Sequence, residues 1–85
     1  MPIETTMNTR ELLADYAHDA WSGWMEYMFR QSRLNIDGTV TIPQKLVERW
    51  ERQSKTPYKD LPENEQNSDR HEADRMLSII EKTKE

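Results

Sequence analysis

Cysteine is absent from the 85-residue chain, which excludes disulfides, thiolate zinc sites and cysteine nucleophiles. Only two glycines are present, so the chain has no glycine-rich loop of the kind that wraps a phosphate group. Long apolar runs are missing as well. No stretch approaches the ~20 residues that cross a bilayer, and the first ten residues lack the apolar centre of a signal peptide. These absences predict a cytoplasmic protein without membrane segments.

The chain is small and highly charged, with 34% hydrophobic and 33% charged residues in 10.2 kDa. A domain of this size buries only ~60–65% of the surface that its unfolded chain exposes. Nearly every apolar group is therefore expected in one core. We expect a single helical domain over residues 9–81, preceded by a flexible lead at 1–8 and followed by a polar tail at 82–85.

The spacing of apolar residues predicts an all-α fold of about three helices, in which one long N-terminal helix packs on two shorter ones. The first helix is expected from Thr9 to about Arg33, because this stretch has no proline and repeats apolar residues at three- and four-residue steps. Asn8 and Glu11 resemble a capping box at its start. Gly38 marks a turn in which glycine takes a positive φ at little cost.

The two shorter helices are delimited by prolines. After a brief extended piece, Thr41 resembles an N-cap for the second helix, which is expected to end near Ser54, ahead of the Thr56-Pro57 break. The third helix is expected to begin near Leu61, with Pro62 in its first turn, and to run past Ile80.

Helix 1 carries an apolar arc that is wider than one stripe. A helix of this kind is either enclosed by its own chain or covered by something else, and two short helices offer few side chains to enclose it. We therefore expect a homo-oligomer or a ligand pocket lined by helix 1 aromatics. The alternative is that the Trp and Tyr rings fill a small core.

Asp69 falls in the middle of the apolar stripe of helix 3, so we expect it to be buried. A buried carboxylate must be paired or hydrogen-bonded. It is either an internal tie that fixes how helix 3 docks or an acid that contacts a ligand.

Charge is uneven along the chain even though the net charge is −4. The middle segment, residues 30–59, is basic and includes Lys45, Arg49 and Arg52 on one face of helix 2. Such a patch fits a small phosphorylated ligand or an acidic partner, or it is a solvated face that pairs with acidic neighbours. A pI near 5.2 opposes binding of duplex nucleic acid, which we do not expect.

Catalytic and metal-binding patterns are weak. Asp15, His18 and Ser22 share a face of helix 1, but nothing accompanies them that would form an oxyanion hole, so we treat the arrangement as coincidental and expect no enzyme. His18 and His71 lack ligand spacing, and we expect no metal and no cofactor. Aromatic residues such as Trp24 can stack a nucleobase while arginine takes its phosphate, although aromatics of a core look the same in sequence.

Two segments resemble the ryanodine-receptor repeat domain family, which includes small phage and prophage proteins. Residues 18–21, HDAW, match H-x-x-W, and residues 57–70, PYKDLPENEQNSDR, match P-Y-x-x-L-x-x-x-E-x-x-x-D-R. The resemblance implies a non-enzymatic helical module that senses nucleotide-derived signals. In a phage setting it implies a sponge that sequesters a host immune nucleotide, an anti-defence role. The defining positions that it assigns are His18, Trp21, Tyr58, Asp69 and Arg70.

The first functional hypothesis is thus a small helical protein that binds or sequesters an anionic, nucleotide-derived ligand. The alternative is a protein-interaction or regulatory module whose helix 1 surface binds a partner or another copy of itself. The candidate ligand-binding residues are His18, Trp21, Trp24, Arg49, Arg52, Tyr58, Asp69 and Arg70.

Overall fold

The computed structural model describes residues 8–83 and confirms the three-helix, all-α fold with a long first helix. The elements, in chain order, are α1 (Thr9–Gln31), β1 (Arg33–Leu34), β2 (Val40–Thr41), α2 (Gln44–Lys55), a 3₁₀ turn (Tyr58–Asp60) and α3 (Glu63–Lys82). The predicted lead and polar tail lie outside the described residues, except for their inner ends. Asn8 is the cap of α1, and α3 continues to Lys82.

The start of α1 is capped as the sequence predicts. The Glu11 backbone N–H donates to the Asn8 side-chain oxygen over 2.9 Å, which satisfies one of the amides that a first turn leaves unpaired. The helix ends two residues earlier than expected, at Gln31. The Ser32 hydroxyl donates to the Met28 carbonyl over 2.7 Å, and Arg33 already belongs to a strand.

The segment between α1 and α2 is a small antiparallel hairpin, in which Arg33 pairs with Thr41 and Leu34 with Val40. This pairing explains why the predicted N-cap role of Thr41 is wrong. Its backbone belongs to the hairpin, its hydroxyl accepts from the Asn35 side-chain amide over 3.0 Å, and α2 starts only after Pro43.

The hairpin turn requires a glycine, since Gly38 has a φ of 90°. Gly38→Ala is expected to lower the free energy of unfolding by about 1 kcal/mol through backbone strain alone, because an added Cβ meets nothing within 4 Å. Gly23→Ala is the matched control. Gly23 lies inside α1, its added Cβ also meets nothing within 4 Å, and alanine is the better helix former by about 1 kcal/mol. Denaturant unfolding should therefore show opposite signs for the two variants, and equal signs would contradict this account.

Helices α1 and α3 run antiparallel along each other. At one end the Thr9 hydroxyl donates to the Thr83 hydroxyl over 2.6 Å, and two turns further along α1 the Arg75 guanidinium lies 5.7 Å from the centre of the Tyr16 ring. Helix α2 is tied to the start of α3 by an ion pair between Arg52 and Glu65. None of the helices within residues 8–83 combines the length and apolarity that crossing a bilayer requires.

The packing leaves very little interior. Leu46 of α2 is the only buried residue among residues 8–83, and it is still 7% exposed. The radius of gyration is 17.4 Å, compared with about 12 Å for a compact chain of this length. The expectation that nearly every apolar group enters one core is therefore wrong, and large apolar side chains of all three helices and the hairpin face outward.

Candidate functional site

An open groove of about 620 Å³ lies where the three helices meet, and we call it the aromatic groove. Helix α1 contributes Trp24, and Leu61 comes from the link that leads into α3. The α2 wall consists of Arg49, Trp50, Gln53 and Ser54. The α3 wall consists of Asn64, Glu65, Ser68 and Asp69. This volume lies within the range of about 300–1,000 Å³ that small-molecule sites occupy.

The spacing of the polar residues along α2 and α3 places them on the helix faces that line the groove. Arg49 and Gln53 are four residues apart on α2, as are the pairs Asn64/Ser68 and Glu65/Asp69 on α3, so each pair lies on one face. The α2 wall is cationic through Arg49, and the α3 wall is acidic. A ligand in the groove would lie between them, against the indoles of Trp24 and Trp50.

An ion pair holds the two walls together. Arg52 donates to both carboxylate oxygens of Glu65, over 2.6 and 3.2 Å, while the Glu65 side chain is only 10% exposed. These hydrogen bonds lower the pKa of Glu65. Burial raises this pKa, whereas a hydrogen bond from Gln53 and the charge of Arg49 lower it further. Arg52 is thus engaged in joining α2 to α3, although the sequence predicts it as a ligand contact.

Asp69 is not buried, which corrects the expectation from its place in the apolar stripe of α3. The stripe itself is largely uncovered, since Ala73 and Met76 are also exposed. Within residues 8–83, neither Asp69 nor Arg49 belongs to an ion pair. The groove therefore offers one carboxylate and one guanidinium that are not neutralised by a direct salt bridge.

Two of the candidate residues lie elsewhere on α1. The rings of His18 and Trp21 stack on each other with centroids 6.1 Å apart, and neither lines the aromatic groove. The Ser22 hydroxyl lies 3.4 Å from His18 Nε2 on the same exposed face. This pair of predicted ligand contacts is separated from Trp24, Arg49 and Asp69.

Tyr58 and Arg70 form a third group, at the start of α3. The Arg70 guanidinium donates to Glu63, Gln66 and Asn67, over 3.0, 3.0 and 2.7 Å. Its pKa is raised, mainly by the hydrogen bond to Glu63 and further by Tyr58. Gln66 in turn donates to the Tyr58 carbonyl over 2.9 Å. These contacts organise the entry into α3, so Arg70 is already satisfied by its own helix.

The structure thus brings together three of the eight predicted residues, Trp24, Arg49 and Asp69. Sequence reasoning missed the polar lining, namely Gln53, Ser54, Asn64 and Ser68. Gln53 follows Arg49 by four residues, and Ser68 follows Asn64 by four, so the sequence indicates a shared face on each helix. Which helix faces meet depends on the docking of α2 on α3.

No group of three or more His, Asp or Glu side chains within residues 8–83 is arranged to hold a metal ion. Comparison of the chain with models of protein families, with curated proteins and with solved structures finds no match. The resemblance to the ryanodine-receptor repeat domain family therefore stays a prediction from the residues quoted above.

Proposed function

We propose that the aromatic groove binds a nucleotide-type small molecule and that the protein acts by holding it, without catalysing its conversion. The observation that supports this proposal is that side chains from separate helices meet in one groove. Three helices bring two indoles, one guanidinium and two carboxylates, one of them paired with Arg52, into a groove of about 620 Å³. Aromatic surface combined with convergent polar groups is typical of small-molecule sites.

The side chains in the groove can each contact a different part of a nucleotide. Trp24, whose side chain is 58% exposed, and Trp50 can stack on a base, an interaction worth about 1–3 kcal/mol per base. Arg49 can donate two hydrogen bonds to a phosphate. Asp69, with the neighbouring Asn64 and Ser68, can accept hydrogen bonds from base N–H groups or ribose hydroxyls.

The charges of the groove restrict which ligands fit it. The Arg52–Glu65 pair is neutral as a unit, which leaves Arg49 and Asp69 with opposite charges. A ligand with one or two phosphates and an exposed base edge fits this balance better than a polyanion does. Cyclic dinucleotides and mononucleotides meet this description. In the phage setting that the resemblance implies, the protein would sequester an immune signalling nucleotide of this kind.

Thermal unfolding followed by tryptophan fluorescence tests the proposal directly, using mononucleotides, cyclic dinucleotides and ADP-ribose as probes. A ligand at a hundred times its Kd adds about 2.7 kcal/mol, which raises the Tm of a domain this small by roughly 10–20 °C. Arg49→Ala should abolish the shift. Lys45→Ala, which removes the same charge one turn earlier on α2 but outside the groove, should retain it. Absence of a shift with every probe at millimolar concentration would refute the proposal.

A second candidate function is a protein-interaction module, and the exposure of the helix 1 aromatics favours it. Trp21, Tyr27 and Phe29 lie outside the aromatic groove and are 40–55% exposed. Rings of this size bury about 150–250 Å² each when covered, so their exposure marks a surface suited to a protein partner. This candidate predicts that Arg49→Ala has no functional consequence, in contrast to the first.

A further inference from the structure

An apolar stripe runs along one side of α1. Its members are separated by four, three, four and four residues, a spacing that keeps them on one helix face. We call it the α1 stripe, and it consists of Ala14, His18, Trp21, Met25 and Phe29. Trp21 and Phe29 are 54% and 55% exposed, Ala14 and His18 are exposed, and Met25 is half-buried.

The other helices pack against a different side of α1. Helix α3 meets α1 at Tyr16 and near Ala20, and the groove shared with α2 begins at Trp24. At 100° per residue these positions lie roughly 100° or more around the helix from the centre of the stripe. Only Met25 of the stripe also lines a smaller cavity with Trp50 of α2, and the rest of the stripe is left uncovered by the described part of the chain.

A single copy lacks the buried apolar surface that a domain of this size needs. Among residues 8–83 only Leu46 is buried, and chains near this length have little stability to spare even with a complete core. Covering the α1 stripe would remove two large rings of α1, those of Trp21 and Phe29, from water, and burial of apolar surface stabilises an association.

We propose that the α1 stripe is covered by the α1 stripe of a second copy of this chain. A two-fold dimer uses the same patch on both subunits, so the patch must complement itself. The stripe meets this requirement because it is apolar apart from His18 and has the three- and four-residue spacing of helices that pair side by side. The proposal uses Trp21 and Phe29 of the second candidate function, but not Tyr27, which lies on another side of α1, and it does not depend on ligand binding in the groove.

The available area is sufficient for such a dimer. Helix α1 has 23 residues and is about 34 Å long with a diameter of about 10–12 Å, so half of its lateral surface is roughly 600 Å². If this whole half were covered, two copies would bury at most about 1,200 Å², the lower end of the range for stable specific interfaces. An interface of this size predicts a dimer that dissociates on dilution.

Sedimentation equilibrium of the full chain over a wide concentration range tests the proposal. The expected mass approaches twice 10.2 kDa at high concentration and falls towards 10.2 kDa on dilution. Trp21→Glu places a charge in the centre of the stripe and should give 10.2 kDa throughout. Leu77→Glu is the matched control, because Leu77 of α3 is 55% exposed and lies outside the stripe, and this variant should dimerise as the unmodified chain does.

Three results would overturn the proposal: a mass of 10.2 kDa at every concentration, an assembly that Trp21→Glu leaves intact, or equal dissociation by Leu77→Glu. Circular dichroism of each variant shows whether it keeps its helices. If Trp21→Glu does not, Phe29→Ser removes the ring at the end of the stripe without adding a charge, and it should weaken the dimer while the helical signal is retained.

Discussion

Leu46→Ala is expected to remove a large part of the free energy of unfolding of this protein. Substituting alanine for a buried leucine costs about 2–5 kcal/mol, because the lost apolar contacts are followed by a cavity that closes only in part. Globular domains have a free energy of unfolding of about 5–15 kcal/mol in total, and this chain has one buried residue within residues 8–83. Urea unfolding followed by circular dichroism at fixed protein concentration measures the effect.

Val47→Ala is the control for this experiment. Val47 is the next residue of α2 and is 36% exposed, so the substitution removes methyl groups that are largely in water, and alanine also favours the helix. The expected loss is below about 1 kcal/mol. Similar losses for the two variants would mean that Leu46 is not the centre of the core.

Acid is expected to lower the melting temperature through Glu65. Its pKa in the folded protein is below the ordinary value of 4.5, so the folded state binds the proton less readily than the unfolded state. The stabilisation is therefore fully present above that ordinary value and is lost as the pH falls through the folded-state pKa. Asp37, whose pKa is lowered by the hydroxyl and backbone N–H of Thr39, acts in the same direction.

Two variants measure how much Glu65 contributes to the fall of the melting temperature in acid. Glu65→Gln removes the titrating group, so its melting temperature should decline less between neutral and acidic pH than that of the unmodified protein. Glu63→Gln makes the same chemical change in the ion pair with Arg70, where Glu63 is 75% exposed, and should leave the pH dependence almost unchanged. If Glu65→Gln retained the full acid sensitivity, the Arg52–Glu65 pair would not be the acid-sensitive tie between α2 and α3.

Local features of the fold could be predicted from the sequence because they depend on near neighbours. Asn8 caps α1, Gly38 occupies a positive φ, and Pro57 follows the end of α2, all as short-range rules require. The N-cap prediction for Thr41 was wrong because it also used only near neighbours. Its sequence context fits an N-cap, but a competing hairpin pairs it with Arg33, which is eight residues away.

The burial of individual residues could not be predicted in the same way. Placing Asp69 in a core assumed that the whole apolar stripe of α3 is covered, whereas α3 contacts α1 along one edge and leaves Met76 and Leu77 exposed. The residues that line the groove could not be predicted either, because they depend on how the helices dock. Trp24, Arg49 and Asp69 come from three helices, and only the tertiary arrangement shows that they meet while His18 and Trp21 do not join them.

The hydrogen bond between Thr9 and Thr83 has a practical consequence for labelling and engineering. It places the first residue of α1 beside the residue that follows α3, with their hydroxyl oxygens 2.6 Å apart. Trp24 lies 15 residues further along α1, or about 22 Å away. Fluorophores attached near residues 9 and 83 would thus sit side by side at the far end from the groove. A permuted chain that joins α3 directly to α1 through a short linker, with new ends opened in the hairpin turn, should keep the helix arrangement.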